Sequence, residues 1–597
     1  MIQLGLQLVF FPIRFLVYLY FKIRYFLTKP KILFIKIPTQ FSLYERGSFI
    51  RFFREPEVDY FDFLIFLKKV AEEKKIEKII LYIPSLESLY WNQVEDTLVL
   101  LEKIKKSGKE IHSYVEEGGL KSLLIASVGT FRYSSDWSQF VVVLPFYEQF
   151  YLKNFLKTIG IEVEVFAAGK YKSAGEMYSR NRISKFAKEN YKELLENRRQ
   201  FILELFLRQE NLSKDLVKKL WELFKNQSII SSKELLELGF FTDTIDLVQL
   251  KEFVSNGGTK TIETNIYHPV KGLGDTIQEN KTKKEIKSIL EYENFLKLAK
   301  KREFLLFPYV NKAVPIALLV MDGVIVLGEE EEEPKTDKIH ARAFSKVIQE
   351  LQESKEKAVI IYLNSPGGMS DASEILYQEI KKLSRIKPVY VFQGSVAASG
   401  GYYISCAANK IFANHFTITG SIGVLRLRPN FVKLYRKYKI HKEKFLFDKT
   451  TEIFSESSIL KKESRKLLKN SAIYIYNAFL DRVAKGRGTT IEFVKKFAEG
   501  RVYTSLAFKK NQLIDHVGSF LDIFEEIKKD LKISDLQRIK IYRYPHIKFG
   551  IEDLIAFRKT FRKFHAFSLM DYFKILNKDL YFSLEGLLFF IENKKFL

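Results

Sequence analysis

The sequence predicts an α/β chain: two tandem copies of one parallel-stranded domain behind an N-terminal membrane-associated helix. Three observations predict it. Short buried-strand runs alternate with helical stretches. The same order of elements returns later in the chain. Residues 1–21 are almost wholly apolar.

The opening stretch reads MIQLGLQLVFFPIRFLVYLYF. About 20 apolar residues span a bilayer, and residues 1–21 of the N-terminal segment 1–30 roughly meet that length. Arg14, near its middle, costs about 2.5–3.5 kcal/mol on insertion scales. Lys22, Arg24, Lys29 and Lys31 follow directly. This pattern reads as an anchor that either spans the membrane or lies in its interface. The bland reading is a buried helix of a soluble domain. A cleaved leader fits worse, because no small-residue cleavage site appears and the basic residues sit on the wrong side.

Residues 31–250 form the first predicted domain. Residues 32–38 (ILFIKIP), 78–84 (KIILYIP) and 109–115 (KEIHSYV) read as strands, 94–107 as a helix, and 184–238 as amphipathic helix. Strands alternating with helices predict a parallel sheet. Residues 251–312 read as a linker with a connecting helix. Residues 313–535 repeat the order: strands at 315–321 (PIALLVM), 358–363 (AVIIYL) and 387–392 (KPVYVF), a helix at 371–384, then a helical block from 463 to 497. IILYIPSLES matches VIIYLNSPGG, KEIHSYV matches KPVYVFQ, and IISSKELLELGFFTD matches VYTSLAFKKNQLID. This is an internal duplication. Residues 536–597 form a C-terminal amphipathic extension, suited to packing or to a second lipid contact.

Length and composition agree. At 597 residues the chain exceeds one domain, and 47% hydrophobic residues suffice for several cores. The net charge of +25 favours contact with something anionic. The lysines are spread along the chain, and no zinc-finger or RNA-binding signature appears, so nucleic acid is not expected. The single cysteine, Cys406, excludes an internal disulfide and a cysteine-based metal site. No cofactor is expected.

Two motifs in the second copy carry chemistry. Asn364-Ser365-Pro366-Gly367-Gly368 follows a buried strand. Adjacent glycines there permit a turn whose backbone N–H groups point outward, able to hold an oxyanion. The bland reading is an ordinary turn. Ala397-Ala398-Ser399-Gly400-Gly401 follows the next strand, and its small residues clear space around one serine at a helix start. Alone, that serine reads as an N-cap. Two such turns after adjacent parallel strands are far more specific. A serine needs a base. His415 has no evident acidic partner in sequence and reads as a core or surface histidine. A buried lysine can serve instead, its pKa lowered from about 10.4, but composition does not choose among the lysines.

The stretches NSPGGMSDASE, SVAASGGYYISCAANKIFAN and TITGSIGV, in this order over 358–424, resemble the signal peptide peptidases of the protease IV type, in their long, duplicated form. The likeness runs from about residue 32 to 530. It implies two tandem ClpP/crotonase-like ββα spiral domains. It implies that Ser399 is the nucleophile and that the base is Lys172, in Gly169-Lys170-Tyr171-Lys172-Ser173-Ala174-Gly175-Glu176 of the other copy. It further implies that Ser421 orients the lysine, that Gly368 and Gly400 donate to the oxyanion, and that no metal takes part. The first copy has EEGGLKSLLIAS where the second has GSVAASGGYYIS, and the second has FDKTTEIF, with Thr451, where the first has the lysine. Each copy keeps half of a dyad, and one site forms where the domains meet. Met177 stands where the family usually has proline, and Ser505 where it commonly has glycine.

The resemblance also implies apolar peptide substrates such as cleaved signal peptides, contact with membrane lipid, a homotetramer, and residence at the bacterial cytoplasmic membrane with the catalytic domains on the outer, periplasmic face. The basic cluster after the apolar run argues the opposite orientation; an interfacial helix escapes that rule. Two rivals are an acyl-CoA hydratase or isomerase of the crotonase superfamily, and a non-catalytic peptide-binding scaffold.

Overall fold

In the first copy, strands β1 (Ile32–Lys36), β2 (Lys78–Ile83), β3 (Glu110–Val115) and β4 (Phe131–Ser134) alternate with helices α1 (Tyr60–Glu72), α2 (Trp91–Lys106) and α3 (Leu120–Ala126). The computed structural model describes residues 31–44, 58–257, 289–291, 313–329, 338–445, 450–534 and 538–545. The N-terminal segment 1–30, most of 251–312 and residues 546–597 therefore lie outside the described residues. Among the described residues no helix is long and apolar enough to cross a membrane.

The first sheet is entirely parallel, ordered Asp243–Thr244, β4, β3, β2, β1, β6, where β6 is Ile289–Glu291. Between β4 and β6 lie β5 (Glu162–Ala168) and helix α4 (Lys185–Leu207).

The second copy runs β7 (Val314–Asp322), α5 (Ala341–Glu353), β8 (Ala358–Ser365), α6 (Ser370–Ile386), β9 (Val389–Ala398), α7 (Gly400–Ser405), β10 (Lys410–Ala413), β11 (Ile418–Gly420), β12 (Val424–Asn430), α8 (Lys462–Gly486), β13 (Val502–Thr504) and β14 (Ile539–Tyr544). Its sheet is ordered β13, β11, β9, β8, β7, β14. Strand β9 forks: its first half pairs with β10, off the main order, and its second half with β11, so the main sheet continues to Ala398, the residue before Ser399.

Each sheet draws an edge strand from beyond the boundaries expected at 250 and 535. Helix Leu247–Ser255 crosses the first boundary, and β6, inside the expected linker, lies beside β1. Strand β14, inside the expected extension, lies beside β7. Both strands close the same edge of their sheets, which a local reading of either segment does not reveal.

The continuous apolar runs of β7 and β8 follow from burial on both faces. Ala317, Leu319, Val359 and Ile361 face the second copy's own core, whereas Ile316, Leu318, Ile360 and Tyr362 face helices of the first copy. Phe61 of α1 packs edge-on to Tyr362, with ring centroids 5.3 Å apart. Helices α1 and α2 are thus sandwiched between the two sheets, and one core spans both copies.

Candidate active site

Strand β9 ends at Ala398, and α7 begins at Gly400. Ser399 makes the corner alone, with φ 53° and ψ −119°. A non-glycine residue at positive φ is strained and persists only when its surroundings over-determine it. Here the Ser399 N–H donates to Gly420 O at 2.8 Å, and its carbonyl accepts from Tyr403 N at 2.9 Å. The hydroxyl is therefore presented from a backbone pinned on both sides.

The turn at 365–368 leans directly on this corner. Gly367 has φ 107°, and a β-carbon there would lie 2.7 Å from Gly400 N and 2.8 Å from Ser399 Cβ. Only glycine fits. The turn is clamped from the other side: Ile325 N donates to Gly367 O and Met369 N to Ile325 O, both at 2.9 Å. Asn364 joins three strands, donating to Asp322 Oδ1 at 2.7 Å and accepting from Val396 N at 3.1 Å. Burial pushes the Asp322 carboxyl up to about 6. The N–H groups of Gly368 and Gly400 meet no backbone acceptor among the described residues, and they sit side by side: a β-carbon on Gly400 would lie 3.2 Å from Gly368 N.

The lysine arrives from the other copy. Strand β5 pairs antiparallel with β12, Ala168 opposite Val424 and Glu162 opposite Asn430. Beyond Ala168 the chain turns at Gly169 and delivers Lys172. Its Nζ lies 2.9 Å from Ser399 Oγ, 2.9 Å from Ser421 Oγ and 2.9 Å from Ser421 O. The residue as a whole is half-buried, but burial of the amine lowers its pKa from 10.5 to about 7, with no opposing contribution from a nearby carboxylate. Ser421 also has positive φ, 53°, and is fixed by donation from its N–H to Arg501 O at 2.8 Å.

Sequence reasoning missed the seat on which the lysine rests. Gly500 has φ 76°, and a β-carbon there would lie 2.6 Å from Lys172 Cβ and 2.7 Å from Lys172 Cα. Tyr171 N donates to Glu499 O at 2.8 Å, and Lys170 N to Glu499 Oε2 at 3.1 Å. The signal was present in Glu499-Gly500-Arg501, a glycine between charged residues just before a strand, but its partner lies in the other copy. Asn190 of α4 adds a second clasp, donating to Val502 O at 2.8 Å and accepting from Val502 N at 3.0 Å.

Also missed were the buried polar groups of α2 that face the second copy. Asn92 donates to Tyr362 OH at 3.1 Å and accepts from Ser395 Oγ at 2.7 Å. Asp96, pushed up to about 7 by burial, accepts from Phe520 N at 3.1 Å. His415 has an acidic partner after all, Glu95 of the first copy, and stacks on Phe201 with centroids 4.6 Å apart. It serves the interface between copies.

The corresponding corner of the first copy holds no nucleophile. Helix α3 starts at Leu120, and Lys121 Nζ donates to Glu87 O and Leu89 O, both at 2.9 Å. Ser122 Oγ donates to Pro84 O at 2.9 Å and accepts from Leu86 N at 3.2 Å. Thr451, at the second copy's lysine position, is exposed and begins a single 3₁₀ turn.

Comparison with known proteins bears on the same residues. The model of peptidase family S49 matches residues 145–252 and 381–534, ranges that include Lys172, Ser399 and Ser421, and the Clp protease model matches 312–417. The chloroplastic serine protease SPPA of Arabidopsis thaliana is 30% identical over 498 residues, 82% of this chain and 68% of its own. Protease 4 of Haemophilus influenzae is 28% identical over 472 residues, covering 78% of this chain and 72% of its own, and protease 4 of Salmonella typhi is 26% identical over 482 residues, covering 79% and 71%. With an α/β fold of Clp-protease kind and likeness over most of its length, the chain belongs to peptidase family S49, as a serine peptidase of the protease IV, signal peptide peptidase type.

Proposed function

We propose that the chain hydrolyses peptide bonds with Ser399 as nucleophile and Lys172 as general base, one site per pair of copies. The observation that carries this is the enclosed amine of Lys172, 2.9 Å from Ser399 Oγ, its pKa lowered by burial alone. A neutral amine has two hydrogens and one lone pair. Donation to Ser421 O and Ser421 Oγ uses the hydrogens, and the lone pair faces the Ser399 hydroxyl. Those partners suit the form a base requires.

Lys172 takes the hydroxyl proton as Ser399 Oγ bonds to the substrate carbonyl carbon. The carbonyl oxygen gains the negative charge and is met by the N–H groups of Gly368 and Gly400. The ammonium then returns its proton to the leaving amine as the C–N bond breaks, giving an ester on Ser399. Water enters, Lys172 accepts its proton as the hydroxide adds to the ester carbonyl carbon, and the ammonium returns that proton to Ser399 Oγ as the ester C–O bond breaks, freeing the acid and restoring Ser399 and Lys172.

The relation to signal peptide peptidases supports apolar peptides, such as cleaved signal peptides, as substrates. It also supports a homotetramer and residence at the outer face of a bacterial cytoplasmic membrane, with residues 1–30 in contact with lipid. Membership in a peptidase family displaces the acyl-CoA hydratase and scaffold readings.

Ser399→Ala and Lys172→Ala are each expected to abolish hydrolysis of an apolar peptide ester by a protein that stays folded, losing on the order of 10⁴-fold or more. The wild-type rate should rise with pH through about 7, as Lys172 loses its proton, and then level. Retained activity in either variant sinks the dyad.

A further inference from the structure

Strand β9 is longer, on its way to the nucleophile, than its counterpart in the first copy. In the first copy four residues, 116–119, separate the end of β3 at Val115 from the start of α3 at Leu120. In the second, six residues, 394–399, separate the matching Gln393 from the start of α7 at Gly400. The β2–β3 register runs unbroken from Lys78 opposite Glu110 to Ile83 opposite Val115. The β8–β9 register breaks: Leu363 lies opposite Gln393, but Ser365 lies opposite Ala397. One residue of β8, Asn364, thus faces three of β9, Gly394, Ser395 and Val396. The two additional residues form a bulge, a feature uncommon between parallel strands and one that re-aims a chain beside a site.

The bulge falls where β9 leaves β10 and joins β11. Strand β11 ends at Gly420, whose carbonyl accepts from Ser399 N, and Ser421 follows it. The position of the bulge therefore sets both Ser399 and Ser421, the two residues that Lys172 touches.

Bulged residues lose ladder bonds, and side chains replace them here. Thr417 Oγ1 donates to Gly394 O at 2.6 Å, and Asn364 Oδ1 accepts from Val396 N at 3.1 Å. Ser395, at the crest, is held from the other copy: its Oγ donates to Asn92 Oδ1 at 2.7 Å. The same amide donates through Nδ2 to Tyr362 OH at 3.1 Å. That hydroxyl lies directly under the bulge, since a β-carbon on Gly394 would sit 3.0 Å from it. Asn92 is fully buried at the start of α2. Its single amide ties the crest of the bulge to the ring that supports it.

We propose that Asn92 is a positioning residue for the hydrolysis, so that the first copy holds the strand bearing the nucleophile as well as supplying the base. Asn92 acts through Ser395 and touches no reacting atom. The inference rests on the assignment of Ser399 and Lys172. Ser399 sits at a corner pinned on both sides, so it cannot adjust by itself. A shift of the bulge is carried along β9 and misaligns its hydroxyl with the amine of Lys172.

Ser395→Ala removes the bond from a half-buried position, and Asn92→Ala removes it from the buried side. Each should lower kcat for an apolar peptide ester about tenfold with KM little changed. Each should slow labelling of Ser399 by a fluorophosphonate by the same factor, measured on folded protein. The double variant should lose about tenfold as well, not a hundredfold, because both changes break one bond. Ser395→Thr keeps the hydroxyl and should recover most of the rate. A purely structural joint would change the melting temperature and leave labelling of the folded protein at the wild-type rate. Wild-type labelling of folded Ser395→Ala, or losses that multiply in the double variant, overturns the proposal while leaving the dyad intact. Activity retained by Ser399→Ala or Lys172→Ala overturns the dyad itself, and this inference with it.

Discussion

The corner after β9 in the second copy is held open, and the corner after β3 in the first is filled. In the second copy, glycines at 367 and 400 let the turn and the corner touch through backbone, which leaves two N–H groups and a hydroxyl facing outward. In the first copy side chains do the joining. Ser122 bonds to both Pro84 O and Leu86 N, and the Lys121 ammonium spans Glu87 O and Leu89 O. Polar groups left open in one copy are satisfied internally in the other. A duplicated fold needs only one reactive corner if its neighbour supplies the base, and the first copy's corner has become a structural joint. Its β5 strand, by contrast, took on delivery of Lys172.

The comparison is broken most severely at the seat where the two contributions meet. Gly500→Ala places a methyl against the Lys172 backbone and Cβ, neither of which can yield without moving the strand-end turn. A displacement of about 1 Å costs on the order of a hundredfold, and the loss should fall on kcat, with KM and circular dichroism little changed. Gly119→Ala in the first copy would also overlap backbone, with a β-carbon 2.2 Å from Val141 O. Its cost should appear as a lowered melting temperature instead. Equal kinetic losses from the two would erase the functional distinction between copies.

Much of this arrangement was legible in the sequence because the information was local. Apolar runs marked β2, β7 and β8, paired glycines marked both corners of the second copy, and the repeat marked the duplication. The edge strands β6 and β14 were not legible, since each pairs with the strand that begins its own copy, far back along the chain. The Gly500 seat, the Glu95–His415 contact and the Asn92–Tyr362 bond each join residues from different copies. Helix α2 read as an ordinary helix, yet its polar residues Asn92, Glu95 and Asp96 are buried against the second copy, an outcome that only the sandwiching of α2 between sheets explains.

A buried amine should also cost stability, and the sign can be worked out. The folded pKa of Lys172 is about 7 against 10.5 for the ordinary side chain. Between those values the unfolded chain binds more protons, so this group's penalty is full below pH 7 and fades as pH rises toward 10.5. Lys172→Met should therefore stabilise the protein by about 2 kcal/mol near neutral pH, less than the full shift implies because the hydrogen bonds to Ser421 are lost. The gain should shrink steadily as the solution is made alkaline. A destabilised Lys172→Met protein at neutral pH would mean that the amine contributes to the fold. Ser421→Ala should be milder. Ser421 O remains to hold the lysine, so the loss of one hydrogen bond, about 1–1.5 kcal/mol, predicts a drop of about tenfold in kcat/KM.

The smallest expected effect is the sharpest statement of asymmetry. Thr451 occupies the lysine's place in the second copy's repeat, so Lys172→Ala/Thr451→Lys restores a lysine to the chain at an equivalent position. It should restore no activity. Position 451 begins a turn beyond β12 and is exposed, whereas the approach to Ser399 is occupied by the β5–β12 junction and the Gly500 seat. A lysine there would also remain hydrated and protonated near neutral pH, lacking the burial that lowers Lys172. Peptide-ester hydrolysis by the double variant should match that of Lys172→Ala alone. Recovery to even a tenth of the wild-type rate would show that Ser399 can be served from its own copy, and the division of labour between the copies would fail.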